Sequence, residues 1–177
     1  MVLSAPPAGS DSSPAPARVA IALGSNLGDR AATLHAAAAE LSTFIDGFQL
    51  SSLHETDPVG VAPQPRFLNA AGAGTTRLSA RALLDALLAL EARHGRQRSE
   101  PGAARTLDLD LILYDGAIVN EPGLIVPHPR YRERAFVLEP LSEIAGTMVD
   151  PVTGQTVEEL RRRLGVRPDS RTTSGDR

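Results

Sequence analysis

Nine consecutive residues, Arg105-Thr106-Leu107-Asp108-Leu109-Asp110-Leu111-Ile112-Leu113, restrict the fold more than any other stretch of this chain. Read with the period of a strand, Leu107, Leu109, Leu111 and Leu113 point to one side while Asp108 and Asp110 point to the other. The result is a strand with one face for a core and one face carrying two carboxylates, whose Cα atoms lie about 6.6 Å apart. Two anions at that separation repel each other, and a hard cation such as Mg²⁺ removes the repulsion while keeping water or phosphate oxygens as its other ligands. An amphipathic strand with a wet face fits the same spacing. Arg105 precedes the pair and Arg96 and Arg98 lie just upstream, so anion-binding side chains surround it.

The chain has 177 residues, which suits one domain with a sizeable core, or a core of roughly 150 residues with loose ends. Its net charge of -3 gives no general attraction for nucleic acid or an anionic membrane, so partners must be argued from local features. Cysteine and lysine are both absent, and the 18 basic side chains are all arginine. Disulfides, thiolate nucleophiles, Schiff bases and a phosphate-loop lysine are thereby excluded. Residues 1–17 are dominated by alanine, proline, serine and glycine, a composition expected to form a disordered tail. No basic start leads into an apolar run, and no segment approaches 18 uninterrupted apolar residues, so a cytoplasmic protein without a membrane span is expected.

Order is expected from Arg18, with Val19 to Leu23 as a central strand. Gly24 to Arg30 turns the chain into a helix whose stripe is Leu34, Ala38, Leu41 and Ile45, a strand-turn-helix arrangement that suits ligand contact or plain connection. Phe48 to Leu53 reads as a second strand and His54 to Phe67 as a long proline-rich loop. Phe67 to Thr76 is again extended, its small residues leaving room for something to pack closely. Asn69 near its start carries an amide that can match a heterocycle edge, or simply serve the backbone. Ser79 is placed to cap a helix striped with Leu83, Leu84, Leu87, Leu88 and Leu90, ending near Gly95. Glu91 at its carboxyl end is either exposed by fraying or turned to the cleft of Arg96 and Arg98. Turns and short strands then lead to Pro127-His128-Pro129, after which Arg130, Arg132 and Arg134 suggest an anion site. A helix is expected within Ala135 to Ile144, interrupted or kinked by Pro140. A small hairpin at 148–156, a short helix at 157–164 and a flexible tail over 165–177 complete the single domain.

Several separated segments resemble, in order, the 6-hydroxymethyl-7,8-dihydropterin pyrophosphokinases of folate biosynthesis. They are Ala22 to Gly28, Thr56 to Gly60, Phe67 to Ala71, Arg105 to Asp110, Val126 to Pro129 and Arg134 to Phe136. The resemblance covers most of residues 18–145. It implies an α+β, ferredoxin-like sandwich with a mostly antiparallel sheet, and a Mg²⁺-dependent enzyme, with two ions bound beside ATP, acting on ATP and a reduced pterin alcohol. Asp108 and Asp110 fall at the metal positions and, with Arg96 and Arg105, at the catalytic ones. Thr56, Val59, Phe67, Asn69 and Phe136 fall at the pterin pocket. Glu91, Arg96, Arg98, Arg105, Ile112, His128 and Arg134 fall near the nucleotide. Other folate-pathway enzymes are the implied partners. The approach to Arg105 departs from the family, running Pro101-Gly102-Ala103-Ala104 where tryptophan, glycine and proline are common. The competing functions are transfer to another heterocyclic alcohol and noncatalytic nucleotide or RNA binding. RNA-binding sheets of this shape display aromatic platforms, whereas this chain has four Phe and two Tyr.

Overall fold

The computed structural model describes residues 15–58, 64–95 and 104–165. The expected terminal tails, apart from residues 15–17 and Gly165, lie outside the described residues, as do Val59, Arg96 and Arg98.

The apolar run at the start of the domain forms β1 (Ala17–Ser25), which extends two residues beyond the expected Val19 to Leu23 at each end. It sits in the sheet between β4 (Phe67–Thr76) and β5 (Asp108–Tyr114) and pairs antiparallel with both. β2 (Asp46–Leu50) extends the sheet beyond β4, giving the order β2-β4-β1-β5. With α1 (Arg30–Leu41) after β1 and α2 (Ala80–Arg93) after β4, this is a β-α-β-β-α-β arrangement of the ferredoxin-like kind. The segment read as a long loop contains one further strand, β3 (His54–Thr56), which also pairs with β4. A hairpin of β6 (Val119–Glu121) and β7 (Leu124–Val126) forms a separate small sheet.

Helix ends follow local chemistry. Asp29 caps α1 by accepting from the Ala32 amide at 3.0 Å, and Ser79 caps α2 by accepting from the Ala82 amide at 3.2 Å. Both helices pack on one face of the sheet, where Leu34, Leu41, Leu83, Leu87 and Leu90 meet Val19, Ile21, Leu23, Leu109 and Leu111. The opposite face is covered over part of its area by α3 (Ala135–Ala145) and α4 (Val157–Gly165). There Val137, Leu138, Leu141 and Leu160 bury Ala20, Ala71, Ala73, Ile112 and Leu113. Pro140 lies within α3 without ending it, so the expected interruption does not occur.

Leu113 departs from the two-residue period. Ala20 pairs with Leu113 but Ile21 pairs with Leu111, so Ile112 is an extra residue in β5. Such a bulge turns the strand locally, and Leu113 joins Ile112 in the layer under α3 instead of joining Leu109 and Leu111. Upstream of the bulge the alternation is intact.

Candidate active site

Alternation fixes what the uncovered part of the second face displays. Phe67 and Asn69 on β4, Gly24 on β1, Asp108 and Asp110 on β5, and His54 and Thr56 on β3 share that face through the registers Asn69↔Gly24↔Asp108, Ala22↔Asp110 and Thr56↔Phe67. The two aspartates are partly open, with side-chain exposures of 21% for Asp108 and 37% for Asp110.

Arg105 Nη1 donates to Asp108 Oδ2 at 2.6 Å. Arg105 is itself held by Asn26, whose buried side chain accepts from the Arg105 amide at 2.7 Å and donates to Gln64 Oε1 at 3.0 Å and the Pro65 carbonyl at 3.2 Å. One amide thus joins the approach to β5 to the approach to β4, a brace outside the expected site residues. The only trace of it in the sequence is a polar residue following the glycine turn. On the outer side Arg30 contacts Glu55 at 2.7 Å, and Arg66 contacts Glu55 at 3.0 Å and Asp57 at 2.7 Å, tying the same approach to α1.

Asp110 faces two bases, His128 Nε2 and Arg134 Nη1, each 3.9 Å from its Oδ2. Burial, followed by repulsion from Asp108, raises its carboxyl above the ordinary aspartate range in spite of those bases. Burial lowers the His128 pKa more than the attraction of Asp110 restores it. The Arg130 amide donates to His128 Nδ1 at 3.2 Å, which leaves the ring proton on Nε2, the nitrogen facing Asp110. The His128 amide in turn donates to the Ile112 carbonyl at 3.0 Å. Ile112 itself is 1% exposed and its side chain belongs to the core, so only its backbone serves this region.

The three alternating arginines do not form one site. Arg134 lies 3.9 Å from Asp110 and 5.6 Å from the Phe136 ring, which brings an aromatic ring to the start of α3 beside the carboxylates. Arg132 instead grips the fully buried Asp150 on the far side of a 3-10 turn at Tyr131–Glu133. Glu91 is not exposed. At 2% exposure it accepts from the Leu109 amide at 2.6 Å, on the strand residue between the two aspartates. At the other end of the face, Asn69 Nδ2 donates to Thr56 Oγ1 at 2.7 Å. β3 is clasped to α3 by Glu143, which accepts from the Ser52 amide at 2.9 Å and lies 2.6 Å from His54 Nε2. Among the described residues no group of three or more metal-ligating side chains occurs. The aspartate pair therefore suits a cation that takes few protein ligands and completes its shell with water or phosphate oxygen, as Mg²⁺ does.

A family model described as 7,8-dihydro-6-hydroxymethylpterin-pyrophosphokinase matches residues 20–146. The chain belongs to this family. A Methylorubrum extorquens protein named 2-amino-4-hydroxy-6-hydroxymethyldihydropteridine pyrophosphokinase is 41% identical over 150 residues, covering 83% of this chain and 93% of the relative. A Bacillus subtilis protein of the same name is 40% identical over 141 residues, covering 78% and 84%. The solved HPPK-DHPS structure from Plasmodium falciparum superimposes with a TM-score of 0.66 at 12% identity, a likeness of fold alone. That match covers 84% of this chain and 45% of the Plasmodium chain. Family membership makes the chain an enzyme of the pyrophosphokinase class, as the sequence segments implied. No helix among the described residues is long and apolar enough to cross a membrane.

Proposed function

We propose that the enzyme transfers the terminal pyrophosphoryl group of ATP to 6-hydroxymethyl-7,8-dihydropterin, giving the pterin diphosphate and AMP for folate synthesis. The observation that carries this reading is the common face that presents Asp108 and Asp110 at one side and the Asn69–Thr56 pair at the other. A flat heterocycle held at the amide end has its hydroxymethyl arm directed toward phosphates held at the carboxylate end.

The alcohol oxygen attacks the β-phosphorus of ATP. A new O–P bond forms, the bond from that phosphorus to the bridging oxygen of the α-phosphate breaks, AMP departs with the bridging oxygen, and the alcohol proton passes to solvent. Asp108 and Asp110 would hold Mg²⁺, two ions when ATP is present. A cation held there would supply charge neutralisation for the phosphates and a lowered pKa for the attacking hydroxyl.

The remaining roles belong to side chains of this protein. Asn69 and Thr56 address the polar edge of the pterin, with Phe67 and Phe136 against its faces and Val59 completing the pocket. Arg105 and Arg134, with Arg96 and Arg98, offset charge on the triphosphate and on departing AMP. His128 donates from Nε2 to a phosphate oxygen. Glu91 fixes the backbone between the two aspartates and so their aim, and Ile112 acts through its carbonyl on His128. The HPPK-DHPS chain of Plasmodium supports association with other folate enzymes as the kind of macromolecular partnership to seek.

Purified protein mixed with ATP, Mg²⁺ and the pterin alcohol is expected to form AMP and pterin diphosphate in equal amounts. Folded protein that binds ATP but releases no AMP with this alcohol would refute the reading. AMP formation with a different hydroxymethyl heterocycle alone would redirect it to the competing transferase.

A further inference from the structure

The strands β1 and β4 hold three glycines, and the protein's own packing requires two of them. A Cβ at Gly72 would lie 2.1 Å from the Phe48 ring, and one at Gly74 would lie 2.6 Å from Ile45 and 2.8 Å from the Asp46 carbonyl. Gly24 has no such requirement. Its φ is outside the left-handed region, and a Cβ built on it meets only Asn69 Oδ1 at 3.4 Å and Asp108 Cβ at 3.9 Å, both ordinary contacts. Glycine inside a strand loses backbone entropy and packs nothing, so folding alone favours alanine at this position.

The space above Gly24 has polar walls. Gly24 pairs with Asn69 on one side and with Asp108 on the other, so the Cα atoms of those two residues stand two strand spacings apart, about 9.6 Å. Asn69 is 6% exposed, and its Nδ2 is committed to Thr56. Its Oδ1 faces the empty position over Gly24, and among the described residues no hydrogen bond reaches it. That oxygen is open to the uncovered face and not sealed in the core, an acceptor available to a ligand group lying over Gly24.

We propose that Gly24 is a substrate-contact and specificity position, its bare backbone seating the hydroxymethyl arm as it crosses from the ring at Asn69 to the phosphates at Asp108. This rests on the function proposed above and adds a limit to it. The seat takes one unbranched CH₂–OH, and bulk on that carbon or on residue 24 displaces the attacking oxygen from the β-phosphorus.

Gly24→Ala tests the seat with three measurements: thermal unfolding, calorimetric affinity for 7,8-dihydropterin lacking the arm, and kcat/KM for the alcohol with ATP and Mg²⁺. The melting temperature should equal or exceed that of the parent protein, and ring-only affinity should stay within about threefold, while kcat/KM falls by about 30-fold or more through misplacement of the reacting oxygen. Retention of kcat/KM to within about twofold would overturn the proposal, because misplacement at the reacting atoms costs far more. So would an equal loss of ring-only affinity, or a variant that melts well below the parent, since the seat would then not be specific to the arm or not free of packing. If the parent protein forms no AMP, the pyrophosphokinase reading fails first. The seat is then judged by whether Gly24→Ala weakens the alcohol more than the ring-only pterin.

Discussion

At Asp110, burial and the carboxylate of Asp108 act in the same direction, each favouring the neutral acid over the anion. A side chain kept under such strain on an open face contributes little to folding, whereas a bound cation would relieve it. Asp110→Ala is therefore expected to lower kcat about a thousandfold while leaving the melting temperature unchanged or slightly raised. Normal turnover in a variant that melts early would remove Asp110 from the chemistry. The placement of this pair was readable because it needs only the period of a strand, and the same holds for Ser79, a cap recognisable from its position before an apolar stripe. The arginines were not readable in this way. Arg130, Arg132 and Arg134 alternate like one strand face, but the 3-10 turn at Tyr131–Glu133 sends Arg132 toward Asp150, which is distant in sequence.

Elements show the same division between local and distant causes. The bounds of β4 follow from its extended run and were anticipated residue for residue, while the bulge at Ile112 depends on how β5 registers against β1 and left no local mark. β3 was hidden inside a proline-rich segment because three residues are too few to show a period, and its fixation depends on Glu143 from α3. The C-terminal hairpin is anchored in a similar long-range manner. Burial alone would raise the Asp150 carboxyl, but hydrogen bonds from Arg132 and the Val152 amide outweigh it and hold the pKa down at about 2. A depressed carboxyl stabilises the fold fully above its unfolded value near 4, and the contribution, about 2 kcal/mol, disappears as pH falls from there toward 2. Asp150→Asn should lower unfolding free energy by about 3 kcal/mol at pH 7, because it leaves Arg132 without its counterion. The difference from the parent should shrink when both are measured near pH 2.5. A gap that stays constant with pH would show that the carboxylate is not the source of the stability.

In the whole molecule one sheet serves two layers, with α1 and α2 on one face and α3 and α4 on part of the other. Sharing the strands should make the layers unfold together. The chain has two tyrosines and no tryptophan, and Tyr131 is buried under α3 while Tyr114 packs against the α2 side. Tyr131→Phe and Tyr114→Phe leave one reporter in each layer. Their fluorescence transitions in urea should each coincide with loss of far-ultraviolet dichroism in the same variant, and separated midpoints within one variant would reveal independent layers. The ferredoxin-like order was reachable from the family segments, but the extent to which α3 leaves the second face bare was not, since it depends on packing between helix and sheet. That bare area has a further consequence. Its floor is the hydrogen-bonded ladder of β4, β1 and β5, so an inhibitor resting there would lean on main chain, and a floor substitution such as Gly24→Ala that displaced it would displace the substrate as well. Resistance without loss of turnover would have to arise in the surrounding loops.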